Sequence, residues 1–226
     1  MIMAQFSGRT FVLRIDRSPV EGATTLASDL AFLMQHNVRP IVVAPTAEIA
    51  RSYVRALNRQ TNVAVGLCGA DAALLPASGG ERVGRVQTGI LATLTSAGYL
   101  PVIEPTAFGL TGDDVELSAD DVASAIASAT EAARAIFFRT SGGVVDPSSQ
   151  ALLAELTPAE ALDLVDRPDL DRELRGTIRA AARGVRAGIG AAQILDGRIA
   201  HAAIIELLTQ RHLGTQVAGT VYLGPT

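Results

Sequence analysis

The 226-residue chain contains no lysine; all 19 of its basic residues are arginines. That absence excludes, as usually built, a Walker-type phosphate lysine, a Schiff-base lysine for pyridoxal phosphate, and a phosphotransferase that clamps phosphates with lysine. A single cysteine, Cys68, excludes an internal disulfide and a cysteine-based zinc cage. No His/Asp/Glu spacing suggests a metal site. No apolar run is long enough to span a membrane. The first ten residues lack a charged region followed by an apolar one, so no signal peptide is expected. A cytoplasmic location follows as the expectation. A net charge of -4 argues against a nucleic-acid-binding surface. What is present is ordinary: 48% hydrophobic and 19% charged residues describe a globular chain. Its length suits one large domain or two small lobes.

Apolar strands alternate with amphipathic helices. Thr10–Ile15, Pro40–Ala44, Asn62–Leu67, Tyr99–Ile103, Arg134–Phe138, Ala191–Leu195 and Gly214–Val217 read as strands. Arg82–Val86 and Val144–Val145 are shorter strand candidates. Helices are expected over Thr25–Gln35, Glu48–Asn58, Ile90–Ala97, Ser118–Glu131, Ala159–Val165, Asp171–Ala187 and His201–Leu208. Ser118 suits an N-cap and Gly98 a C-cap. This alternation predicts an α/β fold with a mainly parallel central sheet covered on both faces. The Gly-, Pro- and Asp-rich stretch Pro105–Asp114 is the natural boundary between halves. It is too short to be a linker, so both halves should share one sheet.

Four stretches resemble the amino acid kinase superfamily, and acetylglutamate kinases in particular. Ala64–Leu75 (AVGLCGADAALL) is similar to "AVGLSGxDGxLI", and Gly98–Pro105 (GYLPVIEP) to "GYIPVIAP". Glu116–Ala127 (ELSADDVASAIA) is similar to "NINADTAAxAIA". Ile194–Thr215 (ILDGRIAHAAIIELLTQRHLGT) is similar to "IIDGRVPHALLLELFTxxGIGT" and is the most specific. The resemblance implies a three-layer α/β/α sandwich. It implies an N-terminal lobe, residues 1–107, that binds an acylamino acid, and a C-terminal lobe, residues 108–226, that binds Mg-ATP. In that family two lysines and two glycine-rich loops neutralise the phosphates, and an aspartate orders the lysines while a phosphoryl group passes to a carboxylate.

The chain departs from that pattern where the chemistry lies. The "KxGG" run becomes Arg14-Ile15-Asp16-Arg17. Arginine keeps the charge but not the point-charge geometry, and Asp16 and Arg17 fill positions where glycine admits a phosphate. "HGGG" becomes Ala44-Pro45-Thr46-Ala47, and proline lacks the N–H. Only Glu48 to Val63 separate that loop from the next strand, so the family's substrate lid is expected to be missing. "NxNAD" becomes Glu116-Leu117-Ser118-Ala119-Asp120, which keeps only the aspartate. "LTDVPGV" becomes Phe138 to Val144, with Thr140 at the acidic position. "GGMxPK" places Thr177 at the second lysine.

On this basis Arg14 and Asp120 are the candidate catalytic residues. Asp16, Arg17, Glu116 and Ser118 are the candidate substrate contacts. Thr140 and Thr177 would face a nucleotide, if one binds. Asp120 reads first as a helix-dipole carboxylate, with a retained site acid as the alternative. Arg14, Asp16 and Arg17 read as a salt bridge closing a pocket or as a rebuilt anion site. Arg172, Arg175, Arg179, Arg183 and Arg186 form a stripe, expected to be solvated and paired with Asp169, Asp171 and Glu173. His201 is expected to be structural, and Cys68 a buried small residue. The expected ligand is an amino-acid derivative, and the expected assembly a homodimer.

Overall fold

A computed structural model describes residues 2–16, 20–79, 82–109, 112–146, 148–209 and 212–219. A 3-10 turn, Ile2–Phe6, leads into β1 (Thr10–Arg14), α1 (Val20–Gln35), β2 (Arg39–Val43), α2 (Ala47–Asn58) and β3 (Ala64–Leu67). There follow α3 (Gly89–Ser96), β4 (Leu100–Ile103), β5 (Thr106–Phe108), β6 (Asp114–Glu116), α4 (Ala119–Ala129) and β7 (Arg134–Arg139). The chain continues through β8 (Glu155–Leu156), α5 (Pro158–Val165), α6 (Arg172–Arg186), β9 (Ala192–Asp196), α7 (Ala202–Leu208) and β10 (Gly214–Val217).

Eight strands make one sheet in the order β3-β4-β2-β1-β7-β9-β10-β8. All neighbours are parallel except β9 and β10. The two halves meet where β1 pairs with β7, so the sheet is continuous across them. Successive side chains of a strand face opposite ways, and the core divides accordingly. Val12, Ile41, Val43 and Phe137 face α3, α4, α5 and α6. Phe11, Leu13, Val42 and Phe138 face α1, α2 and α7. This is the expected three-layer α/β/α sandwich.

The apolar strands and long helices form where their patterns place them. Ser118 caps α4, its hydroxyl accepting from the Asp121 N–H. Gly98 ends the turn after α3 at φ +81, a left-handed conformation that glycine adopts without strain. Short elements differ. Pro105–Asp114 is not a bare boundary loop: it carries β5, which pairs antiparallel with β6. Residue 107 therefore lies inside a strand whose partner follows it. Arg82–Val86 forms no strand, and only Val83 makes a bridge, to Ala77. Val145 likewise makes a single bridge, to Leu152. No described helix is long and apolar enough to cross a membrane.

Candidate functional site

Ligands of open α/β sheets sit beyond the carboxyl ends of the strands. Here β1, β7 and β9 end side by side at Arg14, Arg139 and Asp196. Two residues after Val12 and Phe137, alternation turns Arg14 and Arg139 toward the α4 and α6 layer. Both are buried, as is Asp120 in the first turn of α4. Arg14 Nε lies 2.6 Å from Asp120 Oδ1. The approach is a charge contact rather than an aligned hydrogen bond. Arg14 Nη1 also reaches Asp16 Oδ1 and the Phe138 carbonyl, each at 3.4 Å.

Thr177, fully buried on α6, donates its hydroxyl to Asp120 Oδ2 over 2.7 Å. Asp120 is thus held by a cation on one oxygen and a hydroxyl on the other. Its neighbour Asp121 has a raised pKa, first because of burial and then because of Asp120. Asp16 Oδ2 accepts from the Thr140 N–H over 2.8 Å, which bridges the ends of β1 and β7. Thr140 itself is exposed.

At the end of β9, Asp196 takes two hydrogen bonds from the Arg198 side chain, at 2.9 and 2.7 Å, and one from the Arg198 N–H at 2.9 Å. That pairing holds its carboxyl below the ordinary value. Gly142, at φ +76, carries the chain past it; a Cβ added there would stand 3.7 Å from the Asp196 Cβ. Arg139 Nη2 donates to Glu173 Oε2 over 2.8 Å.

The structure therefore brings together Arg14, Asp16, Asp120 and Thr177, with the Thr140 backbone. Glu116, on β6, and Ser118, whose hydroxyl accepts the α4 capping bond, are both exposed. Arg17 lies outside the described residues. The α6 arginines do not pair as expected. Glu173 pairs with Arg139, Asp169 with Arg167, and Asp171 caps α6. Arg175 instead donates to the carbonyls of Arg167 and Leu170. Cys68 is half-buried rather than buried. His201, at φ 58, places Nδ1 2.5 Å from buried Asp29 and so ties α7 to α1. Burial raises the Asp29 pKa, against the lowering effect of His201.

Arg139 is the residue that pattern reading missed. The signal was available: an arginine closing the buried strand RAIFFR at its carboxyl end, in phase with Phe137.

A triphosphate would meet an unfavourable set of groups here. Among the described residues Arg14 is already engaged by Asp120, Asp16 occupies the Thr140 N–H, and Pro45 offers no donor. Among the described residues no group of His, Cys, Asp and Glu is arranged to hold a metal ion. Among the described residues this donor set does not fit Mg-ATP in a phosphate clamp.

Residues 47–196 match the amino acid kinase family. Acetylglutamate kinase of Prochlorococcus marinus is 32% identical over 186 residues, covering 77% of this chain and 60% of that protein. The chain thus spans about 60% of the length of that relative. Acetylglutamate kinase of Nostoc punctiforme is 28% identical over 268 residues, covering 96% of this chain and 90% of that protein. That alignment is longer than the chain itself, so the relative carries insertions missing here; α2 follows β2 after only three residues. Among solved structures, N-acetylglutamate synthase from Neisseria gonorrhoeae, complexed with coenzyme A and N-acetyl-glutamate, superposes with a TM-score of 0.83. It is 19% identical, and the match covers 98% of this chain and 62% of that one. Carbamate kinase from Giardia lamblia gives a TM-score of 0.70 at 12% identity, covering 94% and 99%. By the family match over most of its length, and by the sandwich it forms, the chain belongs to the amino acid kinase family.

Proposed function

We propose that this protein has lost phosphoryl transfer and works by binding a small amino-acid derivative, as a regulatory or repurposed member of amino-acid metabolism of the arginine type. One observation carries the reading. Asp120, which the family resemblance makes the organiser of two phosphate lysines, is instead closed off by Arg14 and Thr177. A threonine hydroxyl carries no charge with which to stabilise a migrating phosphoryl group, and Arg14 is neutralised before any substrate arrives. Removing one preorganised donor of developing charge costs about 10²–10³ in rate.

The ligand class follows from the relatives. The curated ones are named for acetylglutamate. The Neisseria synthase has been solved with N-acetyl-glutamate and, in a second structure, with L-arginine. Residues 1–107 and 108–226 are then the two lobes of the site, the protein is cytoplasmic, and the working form is a homodimer.

Calorimetric titration of the purified chain tests this. N-acetyl-L-glutamate or L-arginine is expected to give saturable heat with no contribution from Mg-ATP. Tight Mg-ATP binding that strengthens with N-acetyl-L-glutamate would overturn the reading. It would favour an altered kinase acting on an acylamino acid, with Arg14 and Asp120 in a rebuilt site.

A further inference from the structure

Two buried arginines stand at the sheet edge, and their circumstances differ. Arg14 faces Asp120 and Asp16, whose side chains are 9% and 14% exposed. Its charge is matched inside the protein. The Arg139 side chain is 6% exposed, yet its ion-pair partner among the described residues is Glu173, whose side chain is 72% exposed. Its Nε, like that of Arg14, is buried with no hydrogen-bond partner. Taking a cation out of water carries a penalty of several kcal/mol, whereas a solvent-exposed partner returns little. Arg139 is a buried cation whose paired carboxylate lies largely in solvent, with Asp171 adding a longer-range attraction.

Its position is fixed. The Arg139 carbonyl accepts from the N–H groups of both Gly142 and Gly197, so the loops after β7 and β9 clasp it. Arg139 and Asp196 are register partners at the carboxyl ends of β7 and β9. The first turn of α6, whose N–H groups are capped by the Asp171 side chain, supplies Glu173 from the other side.

We propose that Arg139 is the anchor for a carboxylate carried by a small molecule, and that Glu173 is a stand-in that the ligand displaces. This deepens the function proposed above, because it names the group that holds the ligand. The Glu173 carboxylate oxygen, 2.8 Å from Nη2, marks where a ligand oxygen sits. A bidentate carboxylate would also engage the guanidinium fork. Glu173 swings into solvent at little cost, since most of its side chain is there already.

Competition supplies the test. The intact protein is titrated with sodium acetate and with N-acetyl-L-glutamate, in wild-type, Glu173→Gln and Arg139→Met forms. Removing the competing carboxylate raises the competent fraction, so Glu173→Gln is expected to bind both probes about fivefold more tightly. Arg139→Met is expected to lose binding, with its folding confirmed by circular dichroism. Should Arg139→Met fail to fold, the Glu173→Gln comparison and an Arg139→Lys variant, expected to bind more weakly, decide the matter. Unchanged affinity in Glu173→Gln, undiminished binding in Arg139→Met or Arg139→Lys, or no binding of either probe at millimolar concentration would overturn the assignment. The proposed loss of kinase activity is read separately, by turnover of ATP, and stands or falls without this result.

Discussion

The Thr177 hydroxyl on α6 donates to the Asp120 carboxylate on α4 over 2.7 Å, and both residues are buried. The contact joins two helices and closes the carboxylate off from solvent. Thr177→Val keeps the shape and removes the donor, so one Asp120 oxygen is left unsatisfied. The expected cost is about 1–3 kcal/mol, read as a lower urea midpoint with an unchanged denaturant slope.

The Arg14–Asp120 pair is buried on both sides. Arg14→Met strands a buried carboxylate and should destabilise by about 3–5 kcal/mol. The double variant Arg14→Met/Asp120→Leu removes both charges and should recover most of that loss. A double-mutant cycle measures it. Additive losses in the double variant would mean that the pair is not the reason for the cost.

Helices α4 and α6 pack closely enough that Gly184 has no room for a side chain. An added Cβ would stand 2.4 Å from Ile189 Cδ1 and 2.7 Å from Ser124 Oγ. Ser124 is itself fixed by its bond to the Ala180 carbonyl, at 2.8 Å. Gly184→Ala should cost about 1–3 kcal/mol by overpacking, despite alanine's better helix propensity. Thermal denaturation checks the sign.

Burial holds the Glu206 carboxyl above its ordinary value of 4.5, against the lowering effects of the Leu213 N–H and His212. A raised folded-state pKa contributes stability below the unfolded value and loses it as pH climbs through the folded one. Wild type should therefore lose stability relative to Glu206→Gln between pH 4.5 and neutrality. Denaturant titrations at the two ends of that window measure it. A difference that stays constant with pH would contradict the linkage.

The sheet and its covering helices were legible because strands such as PIVVA and RAIFFR are apolar on both faces, while α2 and α6 carry clear helical stripes. The β5–β6 hairpin was not, because three residues per strand leave no period to detect. At the site, Arg14 and Asp120 were found through their match to family motifs. Thr177 was located through the "GGMxPK" match, but its bond to Asp120 was not foreseen. Arg139 escaped although it lies in the stretch aligned with "LTDVPGV"; its meaning lies in a burial that depends on α6 packing across the end of β7. The α6 arginines were misjudged for a related reason. Spacing shows which residues share a face, but not that Glu173 turns inward to Arg139 rather than along its own helix.

The central claim is that Arg14 and Thr177 leave no machinery for phosphoryl transfer. The direct measurement is ADP release from Mg-ATP by the purified chain, with N-acetyl-L-glutamate at saturating concentration. The account predicts no release above the uncatalysed background. Turnover within the ordinary enzymatic range of about 1–10³ s⁻¹, lost in Asp120→Asn, would contradict it.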